Sequence, residues 1–559
     1  MRFVLDRIAG LPEIAGLPGL GHATPDVVDQ VLEEAGRFAA NVLAPLNAVG
    51  DREGSVLENG VVRTPTGFRE AYRQFAEGGW NGLVFPERWG GQELPWTLNA
   101  AVTEMWNAAN MTFQLCPLLT QAAIDALLHH GTAAQQALYL PKLVSGEWTG
   151  AMGLTEPQAG SDVGALRTRA EPDGDRYRIF GQKIFITFGD HDLAENIVHL
   201  VLARLPGAPA GTKGISLFLV PKFLPDADGR PGQRNDMRAL KLEEKLGIHA
   251  SPTCVMAFGD DGGAIGFLVG EPNAGMRCMF TMMNNARLAV GLEGLGIADR
   301  AYQQALAYAK GRVQGRIDGR PVAIAEYPDV RRTLLTMRAR IAAMRALSYT
   351  AAAAVDRSLH DPDADVRRRA AGRVALLTPL CKAWNTDMAC EIASAGVQIH
   401  GGMGFIEETG AAQHYRDVRI TPIYEGTNGI QALDLAGRKL AMENGELPWL
   451  LFAELREELP RLPESAALTV ALEALETTTR HLQAASDTVR QAAATPYLRL
   501  FAEVLAGFLL ARGAAAPDAP ATWPGLCRFH VRHLLPPALG LAAVIAADPD
   551  DLAPELLAS

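Results

Sequence analysis

A change of texture near residue 150, reversed near residue 279, constrains the fold of this 559-residue chain more than any other feature. Between residues 25 and 145, apolar positions recur every three to four residues over Val27–Leu43, Phe68–Glu77, Leu98–Trp106 and Leu115–His130, which predicts helices. From Gly150 to about Val269 the pattern shortens into β-branched segments: Tyr177–Phe180, Lys183–Thr187, Ile197–Ala203, Ile215–Val220 and Cys254–Phe258. Gly/Pro/Asp loops separate them, the pattern of an antiparallel sheet or small barrel and not of strand–helix alternation. From Met279 on, alanine-rich stretches over Ala286–Gly311, Val330–His360 and Val366–Gly396 predict long helices, with Asp361–Asp365 as a connection. Past Asn444 further helices are expected over Leu450–Leu459, Ala466–Ser486 and Tyr497–Ala511, with Gly513–Gly525 as an Ala/Pro-rich linker.

The chain is too long for a single hydrophobic core and should split into three or four domains. A net charge of −11 argues against a general nucleic-acid footprint, because binding phosphates requires a basic surface that displaces counterions. The appendix over residues 446–559 is itself acidic, with 8 Arg against 14 Asp and Glu. No apolar run approaches a membrane span, and Met1–Arg7 alternates charged with apolar residues and offers no signal-peptide core. Cys116, Cys254, Cys278, Cys381, Cys390 and Cys527 lie far apart with no Cys-x-x-Cys pair, so zinc and disulfide frameworks are disfavoured and a reducing cytoplasm is expected. His400 and the pair His129-His130 lack ligand spacing, and no metal is expected.

Chemistry concentrates at Tyr424-Glu425-Gly426-Thr427-Asn428-Gly429, which puts a carboxylate on a glycine-flexed loop. The segment leading in, Arg419–Tyr424, is apolar and β-leaning; the segment leaving, from Ile430, has helical composition with Thr427 or Asn428 as N-cap. A carboxylate in such a semi-apolar turn loses water, which raises its pKa toward the range of a general base. The loop Met152–Asp162 bears Thr155 and Ser161 hydroxyls among free backbone N–H groups; it suits a polar ring edge and a phosphate, or a Pro-initiated turn feeding a hairpin. Phe185 and Thr187 alternate onto one face of a strand, either to meet a planar ligand or as ordinary sheet residues. Gly291, Gly294 and Gly296 lie in a helical stretch with no strand before them, which indicates close helix packing and not a dinucleotide fingerprint. The Ile399–Phe405 segment is a helix exit whose glycines allow positive φ, facing a ligand or ending the helix.

Taken in order, Met-Gly-Leu-Thr-Glu-Pro-x-Ala-Gly-Ser-Asp at 152–162, Lys-Ile-Phe-Ile-Thr at 183–187, Arg-Val-Gln-Gly-Arg at 312–316, Gln-Ile-His-Gly-Gly-x-Gly-Phe at 398–405 and Tyr-Glu-Gly-Thr-Asn-Gly at 424–429 resemble the acyl-CoA dehydrogenase family. The resemblance covers about residues 30–440, and the domain after 445 looks like the larger bacterial branch with 3-methylmercaptopropionyl-CoA and broad-range fatty acyl-CoA dehydrogenases. It implies a mainly α fold with a central β-barrel: residues 1–149 an amino-terminal extension and helical domain, 150–275 the barrel, 276–445 a four-helix domain and 446–559 an additional helical domain, with FAD between the family's three domains.

Carried over residue by residue, the resemblance gives Met152, Leu154, Thr155 and Ser161 to the flavin pyrimidine edge and pyrophosphate, Phe185 to the isoalloxazine, and Thr187 to the vicinity of N5. Phe185 stands where many relatives carry Trp, so the stacking surface is kept and an indole N–H is lost. Arg312, Gln314, Gln398, Gly401 and Gly402 resemble residues that reach the FAD of a neighbouring subunit, which implies a homodimer or dimer of dimers. Thr427 and Asn428 would close over the cofactor, and Ser161, Asn284, Arg287 and Gly426 match acyl-CoA positions. Family members carry the catalytic Glu on this loop or on the preceding helix; the helix position here is Ala286, which leaves Glu425. The implied reaction is α,β-dehydrogenation of an acyl-CoA to a trans-2-enoyl-CoA, with an electron-transferring flavoprotein as acceptor. The rivals are an oxidase using dioxygen and a non-enzymatic DNA-associated stress protein, which would need a basic C-terminal surface.

Overall fold

In the computed structural model, which describes residues 1–557, the chain divides into two compact units. One gathers residues 34–94 and 109–286; the other gathers residues 1–33, 95–108 and those from Arg287 on.

Beside two short hairpins, the first unit holds a sheet of eight strands: β1 (Trp148–Gly153), β2 (Arg169–Asp173), β3 (Arg176–Thr187), β4 (Asn196–Arg204), β5 (Ile215–Pro221), β6 (Met237–Leu242), β7 (Thr253–Phe258) and β8 (Ala264–Val269). They pair in the order β6-β7-β3-β8-β5-β4-β1, and β2 bridges β3 and β4, so that β3, β8, β5, β4 and β2 close a ring. Closure leaves fewer unpaired edges to cover. Ile179, Ile186, Val201, Phe218, Val220 and Met256 fill the interior. The strands β4 and β5 are buried almost throughout, which explains their continuous apolar runs. On β1, a Cβ at Gly150 would lie 2.5 Å from Ala123 Cβ, so the helix over this strand approaches where only glycine fits.

That helix, α1 (Trp96–His130), merges the two expected helices Leu98–Trp106 and Leu115–His130 and bends at Asn110 (φ −162°, ψ 87°). The bend is a local restart: Asn110 Oδ1 accepts from the Phe113 N–H at 3.1 Å, as an N-cap does. By length and average composition α1 could cross a membrane, although polar residues interrupt it throughout: its most apolar 18-residue window has a mean hydropathy of 1.3, and 89% of that window is buried inside the protein, which is the position of a core helix.

From α2 (Gly275–Gly311) onward the chain is helical apart from one hairpin, β9 (Val313–Ile317) and β10 (Arg320–Ala323). There follow α3 (Pro328–His360), α4 (Ala364–His400), α5 (Asn428–Leu433), α6 (Ser465–Ala484) and α7 (Asp487–Ala515). As expected from the glycines, α2 packs tightly on α4: a Cβ at Gly291 would lie 2.7 Å from Cys381 O, and one at Gly294 3.2 Å from Asn385 O. In the acidic appendix, α7 is buried on nearly every face from Tyr497 to Ala511. It joins α4 through Glu503, which accepts from Trp384 Nε1 at 3.2 Å. The expected linker Gly513–Gly525 is shorter than its composition suggests, since α7 runs to Ala515 and the next helix starts at Trp523. The β-leaning segment Arg419–Tyr424 forms no strand. With no neighbouring strand to pair with, its N–H groups bond locally, Ile423 N to Ile420 O at 2.8 Å and Thr421 N to Val418 O at 3.0 Å.

Candidate active site

The loop before α5 is strained at the residue that sequence reasoning singled out. Glu425 sits in the left-handed region at φ 55°, and Gly426 follows at φ 84°. A non-glycine residue there costs about 1–3 kcal/mol unless its surroundings enforce it. The enforcement is visible on both sides. Arg287 Nε donates to the Glu425 carbonyl at 3.3 Å and Gln431 Nε2 reaches the same oxygen at 3.5 Å. Thr427 is the N-cap of α5, its Oγ1 accepting from the Ile430 N–H at 3.2 Å. The Asn428 amide is spent on α4: it donates to Asp387 at 2.7 Å, Thr386 at 2.9 Å and Ala383 O at 3.1 Å, and accepts from Lys382 Nζ at 2.8 Å. Its side chain is thus a loop anchor, and its backbone N–H donates to Pro422 O at 3.0 Å. The Glu425 N–H donates to no group among the described residues.

Electrostatically the loop gathers ionisable groups that burial perturbs. Burial pushes the Glu425 carboxyl above its ordinary value, and the charges of Arg287 and Lys382 partly offset that rise. Lys382 is fully buried, and burial pulls its ammonium down to about 7 against the attraction of Glu425, Asp387 and Glu293. A second carboxyl, Glu293 on α2, is equally buried and accepts a hydrogen bond from the Tyr424 hydroxyl. Burial pushes it up to about 8. Neither Lys382 nor Glu293 was found from the sequence. A lone Glu within the apolar, glycine-spaced run Val290–Ile297 was the available signal.

In the barrel unit a buried ion pair joins the two barrel motifs. Glu156 accepts from Lys183 Nζ at 2.8 Å, from the Arg167 and Thr168 N–H groups at 2.7 and 3.0 Å, and from the Thr168 hydroxyl at 2.6 Å. Lys183 also donates to Leu154 O at 2.9 Å, and Ile184 N to Thr155 O at 2.9 Å. Burial pushes Glu156 up, but Lys183 and these donors outweigh it and hold the carboxyl at about 2. Met152, Leu154 and Thr155 therefore lie against the end of β3. There Phe185 stands at φ 58° with its side chain 59% exposed. It lies in a bulge: between the pairs Lys183–Met256 and Ile186–Cys254, two residues, Ile184 and Phe185, stand against the single Val255. Simple alternation therefore fails between 183 and 186, while Phe185 and Thr187 flank the buried Ile186 and both remain accessible. The hydroxyls of Thr155, Ser161 and Thr187 bond to no group among the described residues.

Of the remaining candidates, Arg287 and Gly426 come together, a Cβ at Gly426 lying 3.5 Å from Arg287 Nη2. Ser161 and Asn284 are exposed, and Ala286 is fully buried. Arg312 donates to Gln314 at 3.2 Å on the exposed β9 hairpin. Gln398, Gly401 and Gly402 are also exposed, and a Cβ at either glycine would meet nothing within 4 Å. Beside them Met403 and Phe405 are 51% and 85% exposed.

Comparison with known proteins identifies the whole arrangement. The chain matches the acyl-CoA dehydrogenase N-terminal domain over residues 26–147, the middle domain over 151–260 and the C-terminal domain over 273–440. Residues 451–554 match the domain described as acetyl-CoA dehydrogenase C-terminal like. The chain is 51% identical over 448 residues to the 3-methylmercaptopropionyl-CoA dehydrogenase of Ruegeria pomeroyi, covering 79% of this chain and 76% of that one. It is 38% identical to a butyryl-CoA dehydrogenase of Syntrophomonas wolfei, over 75% of this chain and 71% of that one. The structure of a Bacillus anthracis acyl-CoA dehydrogenase complexed with FAD shares the fold, with a TM-score of 0.76 and 23% identity over 94% of this chain and 88% of that one. The chain belongs to the acyl-CoA dehydrogenase family, and with it to the FAD-dependent enzymes that act on acyl-CoA thioesters. The barrel residues fit that cofactor: an exposed ring on a strained bulge, with uncommitted hydroxyls on Thr155, Ser161 and Thr187 in the same unit, suits a planar polar ring and a phosphate.

Proposed function

We propose that the protein dehydrogenates an acyl-CoA thioester between Cα and Cβ, with Glu425 as the base that removes the α-proton. The observation that carries this is the Glu425 loop itself: a carboxylate raised by burial on a strained turn, with its own N–H uncommitted. An α-proton next to a thioester is weakly acidic, so the carbonyl oxygen needs donors where enolate charge develops. The Glu425 N–H is such a donor on the same residue as the base. When bound, FAD would supply the electron acceptor for the β-hydrogen, which leaves Cβ as hydride as the α-proton passes to Glu425. Phe185 would stack on the flavin and Thr187 would bond near N5, with Met152, Leu154, Thr155 and Ser161 along the ring edge and pyrophosphate. Arg287 fixes the base by holding its carbonyl, and Gly426, beside it, contributes to acyl-CoA binding. An electron-transferring flavoprotein reoxidises the enzyme. The oxidase and DNA-associated readings gain no support from the relatives.

The test is Glu425→Gln, which keeps shape and reach but removes the base. FAD and acyl-CoA should still bind, while anaerobic flavin bleaching slows by about 10²–10⁴-fold. In the unmodified enzyme the rate should climb with pH as the raised carboxyl ionises, because only the carboxylate accepts the proton. 3-Methylmercaptopropionyl-CoA and butyryl-CoA, substrates in the names of its relatives, are the first acyl-CoAs to test. Bleaching at an unaltered rate in the Gln variant would assign the base elsewhere.

A further inference from the structure

The strained turn at Glu425–Gly426 is held by a tether on each side. After it, Asn428 is tied to Lys382 on α4 at 2.8 Å. Before it, the Tyr424 hydroxyl donates to Glu293 Oε2 on α2. Glu293 is fully buried, and its Oε1 has no hydrogen-bond partner among the described residues. It lies between Gly291 and Gly294, where α2 and α4 approach too closely to admit a side chain. A carboxyl in that position is costly to bury and does not touch the loop's carboxylate directly. Such a group persists when it serves a purpose that an apolar residue cannot. Its one bond is to the side chain that immediately precedes the base.

We propose that Glu293 is a positioning residue for the base, acting through Tyr424 to hold the Glu425 turn in its left-handed conformation. The proposal rests on the reading of Glu425 as the base. The groups that face Glu293 are Tyr424 and Glu425 on the loop and Lys382 on α4. Burial pushes Glu293 up to about 8, so near neutrality it is a neutral acid that accepts from Tyr424 without setting a second negative charge beside Glu425. Above that pH it ionises, while Lys382, at about 7, has already lost its compensating charge. Leucine at 293 removes the acceptor and leaves the Tyr424 hydroxyl unbonded. Glutamine keeps the acceptor and is neutral at every pH.

The experiment measures anaerobic flavin reduction by acyl-CoA in Glu293→Leu, Glu293→Gln, Tyr424→Phe and Glu425→Gln, each at full FAD content, across about pH 6 to 9.5. Glu293→Leu and Tyr424→Phe should each slow reduction by about 10–100-fold, and the double variant should be no slower than the worse single one, because both break one tether. Glu293→Gln should stay within about two-fold of the unmodified enzyme near pH 7 and lose the inflection near pH 8. Unaltered reduction in Glu293→Leu or Tyr424→Phe overturns the proposal, as does a Glu293→Gln variant as slow as the leucine one. If Glu293→Leu does not hold FAD, Tyr424→Phe decides the matter, since it breaks the same bond and deletes one oxygen. Failure of the base reading is separate: it appears as normal reduction in Glu425→Gln, whatever the Glu293 variants do.

Discussion

Glu156→Gln should destabilise the barrel unit more than any other single substitution at the site, and its cost should depend on pH in a way set by Lys183. The pair is almost completely buried, with side-chain exposures of 0% for Lys183 and 4% for Glu156. Glutamine has one acceptor oxygen, so the Arg167 N–H or the Thr168 N–H, which bond to different oxygens, loses its partner, and Lys183 is left with a neutral amide and Leu154 O. Breaking one side of a buried pair costs about 3–5 kcal/mol. Part of that cost titrates: the folded variant avoids an unpaired buried charge by releasing the Lys183 proton, which near pH 7 costs about 1.4 kcal/mol more than in the unmodified protein, where burial has already lowered Lys183 from 10.5 to about 8, at about 1.36 kcal/mol per unit. The sign follows from Lys183 being depressed on folding. That penalty is largest at low pH and is relieved as pH rises toward the unfolded value. In the unmodified protein burial leaves Lys183 at about 8, so both proteins gain equally above that point. The deficit of the variant should therefore narrow by about 1.4 kcal/mol between pH 7 and 8 and then stay level. Denaturant unfolding at several pH values measures it, with flavin fluorescence reporting FAD affinity, which should weaken because Lys183 and Ile184 tie the Leu154–Thr155 backbone to β3. Glu156→Gln combined with Lys183→Met should recover most of the loss. A deficit that is constant with pH, together with no recovery in the double variant, would refute the reasoning.

Thr187→Val should leave the fold intact and lower the reduction rate or shift the flavin spectrum, since a buried hydrogen bond of about 1–3 kcal/mol to the ring is lost; an unchanged spectrum and rate return Thr187 to ordinary strand packing. Sedimentation should show at least two chains per particle, as exposed Phe405 and Met403 beside Gly401 and Gly402 expect a partner surface; Phe405→Asp should weaken that association, and a monomer with full FAD occupancy would sink the reading. Turnover with an electron-transferring flavoprotein or an artificial acceptor should far exceed turnover with dioxygen alone, and comparable peroxide formation would favour an oxidase instead.

The sequence by itself determined the parts that local chemistry controls. Glycine beside Glu425 and the Thr427 cap mark a turn entering a helix wherever they occur, and the structure shows that turn with Thr427 as the cap. Glycines 291 and 294 marked where helices touch, because only a missing side chain permits the approach. What the tertiary structure alone decided are features that depend on distant neighbours. Glu293 and Lys382 lie 131 and 46 residues from their partners in the loop, and nothing local distinguishes a buried carboxyl or ammonium from a solvated one. Phe185 takes its left-handed backbone from a bulge that exists only because β3 pairs with β7 out of step. Arg419–Tyr424 is β-leaning by composition but found no strand to pair with, and α1 restarts past its bend at Asn110 through a cap that periodicity does not register. Propensity acts within a few residues, whereas desolvation and strand register are set by whatever the rest of the chain places alongside.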